Sequence, residues 1–194
     1  MKPLHLWPLL GALTLVGGCI VSEEPLGEQV AVLKPEAWNG LWLVSGDRPE
    51  HDELVRVSVV DADKGMLAVQ KNAVSCSDAS APLSLQLRQS GAWYFFHGPE
   101  KQTYYNAGDA TLRAGNKLIF YALSASRVEE LVELGLLPGR VEKHRVVLGS
   151  LAPEHYGVLL GGERPAWSGE PALVAVKLPA ELDPCRKLDQ PKPR

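Results

Sequence analysis

Leu54-Val55-Arg56-Val57-Ser58-Val59-Val60 alternates with a period of two, placing Val55, Val57 and Val59 on one face and Arg56 and Ser58 on the other. Successive side chains of a strand point to opposite faces, so this run predicts a strand with one buried side. Asp61-Ala62-Asp63-Lys64-Gly65 supplies turn chemistry and Met66 to Lys71 returns, which predicts a β-hairpin. Leu83-Ser84-Leu85-Gln86-Leu87-Arg88 alternates again, turns at Gln89-Ser90-Gly91 and continues through Trp93-Tyr94-Phe95-Phe96-His97. The returning strand of this second hairpin is apolar on both faces, so something must cover it on each side.

The same reading extends in both directions. Gln102 to Asn106 predicts a short strand, and Thr111-Leu112-Arg113 leads through Ala114-Gly115-Asn116 into Lys117 to Leu123, a further hairpin. Beyond Ser126 the period changes, with Val128, Leu131 and Val132 at helical spacing and Glu129 and Glu130 in the first turn. A helix is predicted over Arg127 to Leu136, stopped by Leu137-Pro138-Gly139. His144 to Gly149 reads as a strand, and Pro153 opens a second helix that runs through Leu160 and ends at Gly161-Gly162. A loop from Glu163 to Pro171 precedes a last strand, Ala172 to Leu178, with Pro179 as terminator. The fold class expected is mainly β, α+β in the broad sense: a curved antiparallel sheet or barrel of seven or eight strands with two short late helices.

Trp38-Asn39-Gly40-Leu41-Trp42-Leu43-Val44 opens this series with a Gly-x-Trp at the head of an apolar strand. It resembles the opening of lipocalin-type barrels. The resemblance implies that Trp42 packs across the closed end of a lipocalin-like barrel near an Arg of the last strand, and that Gly40 lets the backbone pass closely. No Thr-Asp-Tyr follows, and no closing Arg is assigned.

Ahead of the strands, Lys2 precedes an apolar segment, Leu6 to Val16, and Val16-Gly17-Gly18-Cys19 follows. The segment suits the core of a signal peptide, whereas a bilayer-spanning helix needs roughly 20 apolar residues. The pattern resembles the lipobox of bacterial lipoproteins. That resemblance implies cleavage before Cys19, acylation of Cys19, and, because Ile20 rather than Asp comes next, an address on the periplasmic face of the outer membrane. Several acyl chains, at about 0.8 kcal/mol per buried methylene, would make the anchor permanent. Residues 1–18 are thus read as a lipoprotein signal peptide and 19–36 as a lipidated tether, in which 30–33 could dock as an extra strand. Residues 37–184 form a single β-rich domain, and 185–194 a basic, Pro-containing tail.

With Cys19 committed to lipid, Cys76 and Cys185 remain, and an even pair in an oxidising compartment reads as a disulfide. A metal pair or redox couple is the alternative, without support from any Cys-x-x-Cys or any His at ligand spacing. A formal net charge of −3, with no Lys/Arg-rich block outside the tail, lacks the electrostatic footprint of a nucleic-acid binder.

No complete catalytic motif is present: no Gly-x-Ser-x-Gly, His-Glu-x-x-His, Walker loop or Gly-x-Gly-x-x-Gly. Glu50-His51-Asp52 reads as a solvated loop, and His97 and His144 as groups at strand ends. No catalytic residue, metal or cofactor is assigned. The aromatics gather in three consecutive strands, where they either fill a core or form a surface for a hydrophobic ligand or partner through Trp42, Trp93, Phe95, Tyr104 and Phe120. The expected function is that of a non-catalytic, lipid-anchored envelope protein that binds a hydrophobic ligand or an envelope assembly partner. The alternative is an immunity-type lipoprotein that neutralises a toxic effector. A hydrolase using the histidines and the carboxylates of residues 47–53 ranks below both.

Overall fold

A computed structural model describes residues 19–46, 52–71, 81–98, 116–143, 145–161 and 165–185. In chain order the elements are β1 (Cys19–Ser22), β2 (Gln29–Val30), α1 (Pro35–Trp38), β3 (Gly40–Ser45), β4 (Glu53–Asp61), β5 (Met66–Gln70), β6 (Leu83–Ser90) and β7 (Trp93–His97). They continue with β8 (Lys117–Leu123), α2 (Ala125–Glu133), β9 (Gly139–Glu142), β10 (Arg145–Leu148), α3 (Pro153–Leu160) and β11 (Trp167–Lys177), closed by a 3-10 turn over Ala180–Leu182. The fold is mainly β with short helices, as the alternation predicts.

Both strong hairpins form. β4 and β5 pair antiparallel with a bulge between Val59 and Asp61, and β6 pairs with β7 from Gln86↔His97 to Ser90↔Trp93. Eight strands make one antiparallel sheet in the order β2-β6-β5-β4-β3-β11-β8, with β7 also on β6. The sheet does not close into a barrel, so of the two predicted architectures the open one applies. Edge strands β7 and β8 meet through side chains instead: the rings of Phe96 and Phe120 lie 5.2 Å apart and those of Trp93 and Tyr121 6.4 Å.

Two apolar cores follow from the alternation. Trp38, Trp42, Val55, Val57, Leu67, Leu87, Leu118 and Ala175 pack together, joined by Tyr94, Phe96 and Phe120, so strands from both ends of the sheet enclose this cluster. Phe95 points the other way, into a second cluster with Val128 and Leu131 of α2, Val146 and Leu148 of β10, and Tyr156 and Leu159 of α3. The doubly apolar strand β7 is therefore covered on both faces, as its composition requires.

The helices fall one turn or less from their expected places. α2 starts at Ala125, two residues early, because Ser124 rather than Ser126 caps it: the Ser124 hydroxyl accepts from the Arg127 N–H at 3.4 Å. It ends at Glu133, and Gly135 (φ 69°) turns the chain before the expected Leu-Pro-Gly stop. α3 covers the predicted span. β11 begins at Trp167, inside the expected loop, because its first half pairs only with β8 and bulges around Pro171, and an edge position tolerates a residue without an N–H.

The expected tether over 19–36 is instead folded. β1 pairs in parallel with β10, from Cys19↔Arg145 to Ser22↔Leu148, and β10 pairs with β9, giving a second, three-stranded sheet. Leu26, Ala31 and Leu33 are buried, β2 joins β6, and Pro35 opens α1, whose Trp38 enters the core. Prolines and glutamates give this stretch the composition of a tether, but the apolar residues between them supply the burial. Of the 30–33 patch only Val30 lies in a strand, β2; Ala31 and Leu33 dock outside it, their N–H groups donating to the Leu87 and Ala62 carbonyls at 3.0 Å each.

Candidate functional site

Residues 26–28 form a strap across the end of β6 and β7. Gly27 adopts φ 108°, a conformation open to glycine, and a Cβ there would stand 2.5 Å from the Arg88 Cβ. The Gly27 N–H donates to the Tyr156 phenol oxygen at 2.8 Å, and Arg88 Nε donates to the Gly27 carbonyl at 3.0 Å. Ser90 donates to the Glu28 carboxylate. Nε2 of the buried His97 donates to the Leu26 carbonyl at 2.8 Å, and burial of the ring pushes its pKa down to about 4. His97 is therefore neutral near pH 7 and serves as a structural lock. Burial likewise raises the pKa of the Tyr156 phenol.

Two hollows flank Tyr156. One, of about 140 Å³, lies between the 22–28 segment and α3 and includes Glu24, Glu28 and Arg88; the other, of about 360 Å³, is open and includes Trp93, Gly157 and Leu160. Their polar groups are engaged with one another: Glu24 accepts from Ser150 at 2.8 Å, Ser22 donates to the Glu24 carbonyl, and Arg88 is turned to backbone carbonyls. The arrangement can receive another molecule's side chains, with Trp93 stacked on Trp167 at 4.7 Å as a firm wall. In the larger hollow the Ser90 hydroxyl is paired with the Glu28 carboxylate, and no His stands beside that pair to complete a relay among the described residues that line it.

The residues expected to form a ligand or partner surface divide. Trp42, Phe95 and Phe120 serve the two cores, with Trp42 and Phe95 fully buried and the Trp42 Nε1 donating to the Trp38 carbonyl at 2.9 Å. For these three the expected surface is a packed interior. Trp93, by contrast, lines a hollow. Tyr104 lies outside the described residues, as do Glu50, His51, His144 and Cys76. Cys185 closes the described chain, its N–H donating to the Asp183 carboxylate at 2.9 Å.

The Gly-x-Trp has its basic neighbour. Lys177 of β11 stands in register with Trp42, reaches over Gly40 and donates to the carbonyls of Glu36 and Ala37 at 2.7 and 3.3 Å. It caps the end of α1, and burial lowers its pKa. The lipocalin-type opening implies a closed barrel end with an Arg beside Trp42; the sheet here is open, so there is no closed end for Trp42 to cross, and the last-strand residue in register with it is a Lys. Its position in the last strand, just before the terminating Pro179, is the signal that the sequence offers for it.

Among the described residues no three His, Cys, Asp or Glu side chains are placed to hold a metal ion, and no helix is long and apolar enough to cross a membrane. Compared with family models, curated proteins and solved structures, the chain matches none.

Proposed function

We propose that this chain is a non-catalytic bacterial lipoprotein, cleaved before Cys19, acylated there, and held at the periplasmic face of the outer membrane, where it binds an envelope assembly partner. The observation that carries the anchor is Val16-Gly17-Gly18-Cys19 behind a short apolar core. What favours a partner over an enclosed hydrophobic ligand is the filled concave face of the large sheet, where Trp38, Trp42, Tyr94, Phe96 and Phe120 occupy the space a ligand would need. The hollow beside Trp93 and α3 is the candidate contact.

The oxidising compartment goes with a Cys76–Cys185 bridge, which would pin the chain's end to the middle of the domain. Incorporation of labelled palmitate in a bacterial host, lost in Cys19→Ala, is the expected result for the anchor; equal labelling of both forms would refute it. Native mass spectrometry of Cys19→Ala protein should give the bare polypeptide mass, and a retained lipid would favour a ligand over a partner.

A further inference from the structure

We infer that the domain is seated directly on the bilayer, with Lys143 and Arg145, at the end of the small sheet nearest Cys19, against the lipid headgroups; this rests on the lipidation of Cys19 proposed above. A lipid anchor with a long spacer leaves its domain free, since each extended residue adds about 3.3 Å of reach. Here the spacer is absent. The residue that would carry the lipid is itself the first residue of β1, in register with Arg145 of β10, which is in register with Glu142 of β9. Adjacent strands lie about 4.8 Å apart, so the Cα atoms of all three residues fall within roughly 10 Å of one another.

Slack could come only from unravelling residues 20–28, and that segment is held at every step. Ile20 packs on the second core and Ser22 is buried. The Glu23 N–H donates to the Leu148 carbonyl at 2.9 Å, and the Glu23 carboxylate pairs with Arg140 at 2.6 Å. Leu26 and Gly27 are locked by His97 and Tyr156. The end of the small sheet nearest Cys19 suits a headgroup layer: Lys143 and Arg145 are exposed, Glu142 joins Arg145 at 2.5 Å, and Val141 is an exposed apolar side chain. Cationic side chains favour anionic headgroups, and an apolar one favours the boundary beneath them.

The test places a fluorescent amino acid at Lys143 in the full-length lipoprotein, reconstituted in vesicles of phosphatidylethanolamine and phosphatidylglycerol. Iodide, confined to water, should quench the probe severalfold less than in a soluble form that begins at residue 19 and carries Cys19→Ala. A flexible Gly/Ser insert between Cys19 and Ile20 should restore the soluble value while palmitate incorporation continues. Palmitate incorporation with equal quenching in the anchored and soluble forms would overturn the seating and leave the anchor standing. Shielding that survives the insert would also overturn it, because lack of slack would not then be the cause. Absence of palmitate would overturn the anchor itself, and the seating with it.

Discussion

Nε2 of His97 donates to the carbonyl of Leu26 at 2.8 Å, joining the last residue of β7 to a segment far earlier in the chain. A carbonyl only accepts, so Nε2 carries a proton; with burial holding the ring's pKa down to about 4, Nδ1 carries none near pH 7 and the ring is neutral.

That ring makes stability depend on pH. Its folded pKa of about 4 lies below the ordinary imidazole value of 6.5, so its contribution is complete above pH 6.5 and is lost as pH falls toward 4. The loss should be on the order of 3 kcal/mol, at about 1.36 kcal/mol per pH unit. Urea unfolding across this window should show the decline in the wild type and a shallower one in His97→Gln. Equal slopes would remove His97 as the cause.

Gly27 and Gly91 both have positive φ but should respond differently to alanine. A Cβ at Gly27 meets the Arg88 Cβ at 2.5 Å, whereas at Gly91 it meets nothing within 4 Å. Gly91→Ala should cost only the left-handed backbone penalty, about 1 to 2 kcal/mol, and Gly27→Ala clearly more, as read by thermal melting.

Trp42→Ala should lower stability by about 3 to 5 kcal/mol, the range for removing a large core aromatic. Val60→Ala, on a residue 67% exposed, should stay within about 0.5 kcal/mol of wild type. Denaturant midpoints decide, and a mild Trp42→Ala would mean that the concave face is less filled than its packing indicates.

Arg56 and Asp183 form a two-point ion pair at 2.5 and 2.7 Å that fastens the 3-10 turn after β11 to the outer side of β4. The side chains remain 25% and 14% accessible, so a double-mutant cycle with alanine should give a coupling of about 1 kcal/mol. Raised salt should reduce it.

If Cys76 and Cys185 are bridged, Cys76→Ser and Cys185→Ser should each lower stability by about 4 kcal/mol, and the double substitution by no more than either alone. Alkylation without reduction should modify neither cysteine. Additive losses would exclude the bridge.

Local alternation carries its own address, and that is why the two hairpins are legible in the sequence: Val55, Val57 and Val59 alternate with polar neighbours, and Gly65 and Gly91 mark the turns. Both faces of β7 can be recognised as covered for the same reason. What fills those faces is not legible, because the choice between ligand and core depends on residues distant in sequence, such as Trp38 meeting Tyr94 and Phe96. β1 and β9 escape detection because four-residue strands have little periodicity, and a parallel partnership such as Cys19 with Arg145 leaves no trace in either segment. The strap over 26–28 is hidden among prolines and acidic residues, although Gly27 is one visible sign of its close approach.

The parallel ladder joining residues 19–22 to 145–148 also orders events during manufacture. A peptidase takes its substrate as an undocked chain, so on the lipoprotein reading proposed above the bond before Cys19 would be open to processing only until β1 finds β10. Because synthesis delivers the start of the polypeptide first and its partner much later, such maturation would have an interval that ends when the far segment arrives. If the proposed processing occurs, a chain that folded before it would withdraw its own cleavage site, and the topology would act as a clock on secretion.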